Sequence, residues 1–330
     1  MNQVAIGIDI GGTNTVFGFI NREGKCLVED SIPTQKHGEI EKYLEELFSE
    51  IDKHIACFGP DLEIVGIGIG APNGNFYNGT IEHAGNLRWD GVIPLAQMVE
   101  DHFKVPTFLT NDANAAAIGE MIYGGAKGMK NFMVITLGTG LGSGIVVNGE
   151  LLYGHDGFAG EVGHMLVRPG GRHCGCGRRG CLETYVSATG VKRTAQKLMA
   201  KYREESVLRD VPFNQLNAKL VNDAATGGDK IAIETFEYTG QMLGLALANA
   251  VAVTNPEAIF LFGGLAKAGD LIFKPTQHHM EENMLNIFKN KVKLLPSGLK
   301  SNAAILGASA LVWKELENDE KFLNKTINHA

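Results

Sequence analysis

Phe132-Met-Val-Ile-Thr-Leu-Gly-Thr-Gly-Leu-Gly-Ser-Gly-Ile-Val-Val147 is a short apolar run, a glycine-rich turn carrying a threonine, and a second apolar run. An apolar run of this length, stopped by glycine, reads as a buried strand. The turn leaves backbone N–H groups uncovered and Thr139 adds a hydroxyl, which together can cradle phosphate oxygens. The same plan opens the chain. Val4–Ile10 is an apolar run ending in Asp9-Ile-Gly-Gly-Thr13, and Thr15–Ile20 follows it. One Gly-Thr turn is more often an ordinary hairpin. Two at matching positions, one preceded by a strand-end aspartate, favour phosphate binding. Asp9 could then hold Mg²⁺ directly or through water, since that ion takes carboxylates and keeps several waters. No G-x-x-x-x-G-K-[ST] occurs, so the chain is not a P-loop protein.

Working outward, Cys26–Ile32 extends the first two runs into an antiparallel meander. Glu39–Phe58 places Ile40, Tyr43, Leu44, Leu47, Phe48, Ile51 and Ile55 at helical spacing. A strand at Ile64–Gly70, a short helix near Leu95–His102, a strand at Thr107–Thr110 and an Ala-rich helix at Asp112–Tyr123 follow. After the second Gly-Thr turn come a long helix (Ile231–Val253), a strand (Ala258–Phe262) ending in Gly263-Gly264, and a closing helix near Asn302–Lys314. Strands alternating with helices in two similarly opened halves imply two α/β lobes facing a cleft. The expected division is 1–111 plus a C-terminal helix of about 302–330 for the smaller lobe, and 112–301 for the larger.

Within the larger lobe, Gly160-Glu-Val-Gly-His-Met-Leu-Val-Arg-Pro-Gly-Gly-Arg-His-Cys-Gly-Cys-Gly-Arg-Arg-Gly-Cys-Leu-Glu183 gathers His164, Cys174, Cys176 and Cys181, three of the five cysteines. One imidazole and three thiolates make a closed tetrahedral set, as structural zinc requires. A disulfide would leave one thiol over, and a setting of Gly, Arg and His is unlike a core. His173 competes with His164 for the metal, with poorer geometry beside Cys174. His155 reads as a loop residue, and His278-His279 as solvated surface on a helical, polar stretch. Cys26 and Cys57 read as core thiols. Gly175, Gly177 and Gly180 match G-x-G-x-x-G formally, but no strand precedes them, so no dinucleotide site is expected.

Composition narrows the function. The 330 residues suffice for two domains, and 44% hydrophobic with 20% charged residues is ordinary for a globular protein. A net charge of -7 argues against nucleic acid as partner. The most apolar window, Leu243–Val253, is well short of the ~20 residues that cross a bilayer. The chain enters a strand at once, without the basic and apolar regions of a signal peptide, so a cytoplasmic protein with no membrane partner is expected.

Asp9-Ile-Gly-Gly-Thr13, Asn111-Asp112, Leu137-Gly-Thr-Gly-Leu-Gly-Ser-Gly144, Glu161-Val-Gly-His164 and Cys174-Gly-Cys-Gly-Arg-Arg-Gly-Cys-Leu-Glu183 together resemble the ROK family (repressors, open reading frames and sugar kinases). The likeness runs over nearly the whole chain, in order. It implies a two-lobed actin/hexokinase-like (ribonuclease H-like) α/β fold with a zinc-binding insertion in the second lobe. It also implies a homodimer that phosphorylates a hexose with ATP and Mg²⁺ in carbohydrate metabolism. Asp112 matches the catalytic base; its place at a strand-to-helix junction would equally suit a helix N-cap. Gly74, Asn86, Asn111, Asp112, Glu161, His164 and Glu183 match sugar-binding residues. Asp9, Gly11, Gly12, Thr13, Gly138, Thr139 and Gly140 match phosphate-binding ones, and Gly263 and Gly264 match the turn near adenosine. Asp9 is the magnesium residue.

Ala84-Gly-Asn-Leu-Arg-Trp89 resembles the Asn-Leu-x-Trp stretch of ROK glucokinases, so glucose is the expected hexose, with fructose, mannose or an N-acetylhexosamine as alternatives. A sugar-sensing ROK repressor is the reading from another class. It would carry an N-terminal helix-turn-helix of roughly eighty residues, and this chain starts at the phosphate-loop strand.

Overall fold

The computed structural model describes residues 2–299 and 303–327. In chain order it has β1 (Asn2–Ile10), β2 (Asn14–Asn21), β3 (Cys26–Pro33), α1 (Ile40–Phe58), β4 (Leu62–Gly70), β5 (Gly74–Asn75), β6 (Thr80–Glu82), β7 (Val92–Ile93), α2 (Leu95–Phe103), β8 (Thr107–Thr110) and α3 (Asp112–Ile122). There follow β9 (Phe132–Leu137), β10 (Leu141–Val147), β11 (Glu150–Leu151), α4 (Glu183–Val186), α5 (Ala188–Lys201), α6 (Ala218–Thr226), α7 (Lys230–Thr254), β12 (Ala258–Phe262), α8 (Asp270–Asn283), β13 (Lys293–Pro296) and α9 (Ala303–Ile327). Asn302, the expected start of the closing helix, lies outside the described residues, and the helix runs well beyond Lys314.

Two compact units form. The first takes the chain up to Gly128, Leu151–Ala159, and the described residues from Gly298 on; the second takes Met129–Glu150 and Gly160–Ser297. The boundary therefore falls after Gly128 and not at 111/112. The reason is that α3 packs against α9 inside the first unit, with Gly119 set closely against Gly307.

Each unit is built on one five-stranded sheet. The orders are β3-β2-β1-β4-β8 and β11-β10-β9-β12-β13, which are the same plan. β1 runs antiparallel to β2 and parallel to β4, as β9 does to β10 and β12. The expected meander of three strands is present.

Alternation along the strands decides what covers each face of the first sheet. Ile6 and Ile8 of β1 and Ile67 and Ile69 of β4 are fully buried and share a core with Tyr43, Leu47 and Ile51 of α1. Each such side chain contributes about 1.5–3 kcal/mol by leaving water. The alternate positions are small, and α9 lies against β1 and β4 on that face. A Cβ on Gly7 or Gly68 would collide with the backbone carbonyls of Ile305 and Ala308. In the second unit α7 supplies the largest share of the core, including Phe236, Leu243, Leu247 and Val251 against Ile135, Leu137 and Ile259.

Candidate active site

In the first unit, Asp9 is the penultimate residue of β1, opposite Gly70 at the end of β4. A Cβ on Gly70 would stand 3.7 Å from Asp9 Oδ1 and 3.7 Å from the Asp112 Cα. Three strand ends and the start of α3 thus converge on one spot. Burial pushes the Asp9 carboxyl up to about 7, and the like charge of Asp112 adds to the rise. Burial also raises Asp112, against the backbone N–H of Ala113 and its own N–H, which favour the charged form. Asp112 is nevertheless an exposed residue, so the desolvation comes from the protein mass on the inner side of its carboxyl and not from a sealed cavity.

The N-cap of α3 is Asn111. Its Oδ1 accepts the Asn114 N–H at 2.7 Å. Asp112 sits one residue further on, at the first helical position, where its Oδ1 accepts the adjacent Ala113 N–H at 2.9 Å. The capping role is therefore taken by the neighbour, and the carboxylate of Asp112 is left for chemistry.

The first Gly-Thr turn is closed by a bond from the Gly11 N–H to the Asn14 carbonyl at 3.0 Å. Thr13 is exposed, and its carbonyl accepts the Thr34 N–H at 2.9 Å. Asn86 is exposed beside this turn; a Cβ on Gly12 would lie 3.2 Å from its carbonyl oxygen. Gly74 is buried, with no room for a Cβ against the Thr110 carbonyl, so packing of β5 on β8 accounts for the glycine. Trp89 is a core residue that packs on Tyr43 at 4.4 Å between ring centroids, and so anchors the segment carrying Asn86.

In the second unit, Gly138, Thr139 and Gly140 form the turn between β9 and β10, and Thr139 is exposed. The turn is held from beneath. The Ala188 N–H donates to the Gly138 carbonyl at 2.9 Å, and Glu183 Oε2 accepts the Leu141 N–H at 3.0 Å. Gly263 directly follows β12, which pairs with β9; its φ is 100°, and a Cβ there would meet the Leu137 carbonyl oxygen at 2.6 Å. The expected adenosine turn and second phosphate turn therefore stand on neighbouring parallel strands.

His164, Cys174, Cys176 and Cys181 bring their ligand atoms within 4.8 Å of one another, and neither His173 nor His155 belongs to the group. The edges test the fit to a tetrahedral ion. Cys176 Sγ and Cys181 Sγ are 3.7 Å apart, and Cys174 Sγ is 3.6 Å from His164 Nδ1. Bonds of about 2.3 Å to sulfur and 2.0–2.1 Å to nitrogen give edges of about 3.8 and 3.6 Å. Burial pushes the Cys174 thiol up to about 12. At Cys176 burial is outweighed by hydrogen bonds from Arg178 and the other thiols, which hold it down at about 6.

His164 is two-sided. With Nδ1 toward the cysteines, its Nε2 lies 4.0 Å from Glu161 Oε2. Glu183 is two-sided as well: Oε1 is 3.7 Å from Cys174 Sγ while Oε2 accepts the Leu141 N–H at the end of the Gly138–Gly140 turn. Sequence reasoning did not find this second attachment, nor Arg172, which docks the cysteine loop on the helices below. Arg172 Nη1 donates to the Thr184 carbonyl at 2.8 Å and its Nη2 to Thr194 Oγ1 at 2.9 Å, with the guanidinium 4.6 Å over the Tyr185 ring. The only signal was one more arginine in an arginine-rich loop.

Two further expectations are corrected. Cys57 is exposed, because it lies on the outer side of α1 at its last turn. His279 is only 15% exposed and bonds Glu237, so it is not solvated surface.

Two α/β units with one strand order, each opening on a Gly-Thr turn between its first two strands, are an actin/hexokinase-like architecture. A family model described as the ROK family matches residues 5–315. Over 325 residues the chain is 37% identical to a glucokinase of Halalkalibacterium halodurans, covering 97% of this chain and 98% of that one. It is 33% identical over 315 residues to a glucokinase of Thermotoga maritima, covering 94% and 98%. Among solved structures it is similar to a ROK family glucokinase from Streptomyces griseus in complex with glucose and AMPPNP, with a TM-score of 0.78, 30% identity, and 93% and 98% of the two chains covered. The chain belongs to the ROK family. Among the described residues, no helix is long and apolar enough to cross a membrane.

Proposed function

We propose that this protein transfers the γ-phosphoryl group of ATP to the 6-hydroxyl of a hexose, and that the hexose is glucose. The observation that carries the reading is the Asp112 carboxylate, relieved of capping by Asn111 and set near Asp9, in a chain of the ROK family. Asp112 accepts the proton of the 6-hydroxyl as that oxygen bonds to the γ-phosphorus; the bond from phosphorus to the β,γ-bridging oxygen breaks and ADP leaves. Its raised proton affinity makes it a stronger proton acceptor than an ordinary carboxylate. Gly11, Gly12 and Thr13 in the first unit, and Gly138, Thr139 and Gly140 in the second, offer N–H and hydroxyl donors to phosphate oxygens. Gly263 and Gly264 leave their turn without side chains for the adenosine. Asn86, Asn111, Glu161, His164 Nε2 and Glu183 supply the donors and acceptors that a ring of hydroxyls needs, and Gly74 the backbone beside them.

Mg²⁺ bound with ATP would neutralise charge on the phosphoryl oxygens, and Asp9 is the residue placed to hold it directly or through water. The cysteine cluster fits zinc with no position left open, a structural role. The proposal includes a homodimer acting in the cytoplasm, for which light scattering should give twice the chain mass.

The test is a coupled assay of the purified protein over glucose, fructose, mannose and N-acetylhexosamines, with ATP, other nucleotides and polyphosphate as donors. Glucose with ATP should give the highest kcat/KM. Turnover of none of these sugars would remove the kinase reading, and a clear preference for another hexose would remove the glucose assignment.

A further inference from the structure

The second unit carries a convergent polar group that phosphotransfer does not use. On α8, His278, His279 and Glu282 bring one ligand atom each within 4.8 Å of the others. Glu282 follows His278 by four residues and His279 by three, so on a helix its carboxylate falls between the two rings. Its Oε1 lies 3.3 Å from His278 Nε2, and its Oε2 lies 3.2 Å from His279 Nδ1. The other nitrogen of His279 is engaged by α7, with Nε2 2.8 Å from Glu237 Oε1.

This engagement has a cause in the sequence. Gly240 and Gly244 lie one turn apart on α7. A Cβ on Gly240 would come within 2.6 Å of Pro275, and one on Gly244 within 2.8 Å of the His279 Cβ. Two glycines therefore let α8 lie close on α7, and that approach brings His279 up to Glu237. The His279 side chain is 15% exposed, whereas His278 is 63% exposed.

The hydrogen-bond logic is then restrictive. A neutral imidazole carries one N–H and one lone pair. If His279 donates through Nε2 to Glu237, its Nδ1 lone pair faces the Glu282 carboxylate, and two acceptors confront each other at 3.2 Å. A positive charge between them resolves the conflict. A proton on Nδ1 would do so for His279 alone. A metal ion would do so for both rings and the carboxylate together, and the arrangement of carboxylate, then imidazole, then ion is the one by which an outer carboxylate fixes a ligating histidine. Each ring nitrogen faces its own oxygen of Glu282, at 3.3 and 3.2 Å, and one ligand atom from each residue lies within 4.8 Å of the others, a span that rotation of the exposed side chains closes around an ion with bonds of about 2.0–2.1 Å.

We infer that His278, His279 and Glu282 form a second metal site, for a divalent transition-metal ion that prefers imidazole and carboxylate ligands, with Glu237 as the residue that orients His279. Two nitrogens and a carboxylate suit zinc, nickel or copper and are poor for magnesium. Three protein ligands on an exposed helix face leave coordination positions to water. The ion is therefore exchangeable, in contrast to one enclosed by His164 and three cysteines.

The test uses untagged protein with its cysteine cluster loaded with zinc, titrated calorimetrically with Ni²⁺. One Ni²⁺ per chain is expected in the wild type. His278→Ala removes an exposed ligand and should weaken binding by more than tenfold. Glu237→Gln removes the orienting carboxylate without touching a ligand, and should weaken it by about tenfold. Circular dichroism should show both variants folded, and the zinc content of the cysteine cluster should be unchanged. No Ni²⁺ bound to the wild type, or equal affinity in wild type and His278→Ala, would overturn the site. The titration needs no substrate, so its result is independent of whether the protein phosphorylates glucose.

Discussion

Asp9 carries a charge that folding disfavours. Its carboxyl rises from 3.8 to about 7, chiefly through burial, and that shift corresponds to roughly 4 kcal/mol between the two protonation states. The folded chain binds this proton more tightly than the unfolded chain. Stability from it is therefore full below about pH 4, declines between about 4 and 7, and is absent above. A carboxylate held at that cost suits a residue whose partner is a cation. Asp9→Asn, which never ionises, should escape the decline. In protein without ATP, Mg²⁺ or sugar, the variant should differ least from the wild type in melting temperature near pH 4, and exceed it by a margin that grows up to about pH 7. Parallel pH dependence of the two would contradict the burial account. At the same scale, the division of labour between Asn111 and Asp112 was not legible in the sequence. Both are good capping residues, and only the backbone angles at the junction decide which one caps.

Among the elements, those that carry the two Gly-Thr turns were legible because each is an apolar run stopped by glycine, a local signal. The small sheet β5-β6-β7 was not, since strands of two or three residues exist only through their neighbours. Nor was the burial of His279, which depends on glycines thirty-five and more residues away on another helix. The cysteine loop belongs to the legible part through its spacing, and its attachment to the second phosphate turn through Glu183 belongs to the other. That attachment has a consequence for Cys176→Ala. The variant should lose zinc by elemental analysis, and with it both sugar affinity and ATP affinity, because Glu183 touches the cluster with one oxygen and the turn with the other. A fall in sugar affinity with unchanged KM for ATP would mean that the turn stands without the cluster. Thr139→Ala tests the turn itself. It deletes one exposed hydroxyl and leaves the backbone donors, so a loss of about 1.5–3 kcal/mol is expected, or roughly ten- to hundredfold in kcat/KM for ATP. Glucose binding without ATP should barely change; the opposite pattern would reverse the assignment of donor and acceptor residues.

For the whole molecule, one sheet plan used twice gives each unit a strand-turn-strand opening; the proposed base, Asp112, and the proposed magnesium residue, Asp9, belong to the first unit, and the cysteine loop belongs to the second. The central claim is that this chain is a hexose kinase whose proton acceptor is Asp112. Asp112→Asn keeps size and first-turn position while removing the basicity. Calorimetric glucose binding and steady-state turnover with ATP, measured on the same zinc-loaded preparation, test the claim together. A base that acts only in the transition state lowers kcat far more than affinity. The account predicts glucose affinity within a few-fold of wild type and a kcat lower by about a thousandfold or more; a variant that keeps over about a tenth of the wild-type kcat would contradict it.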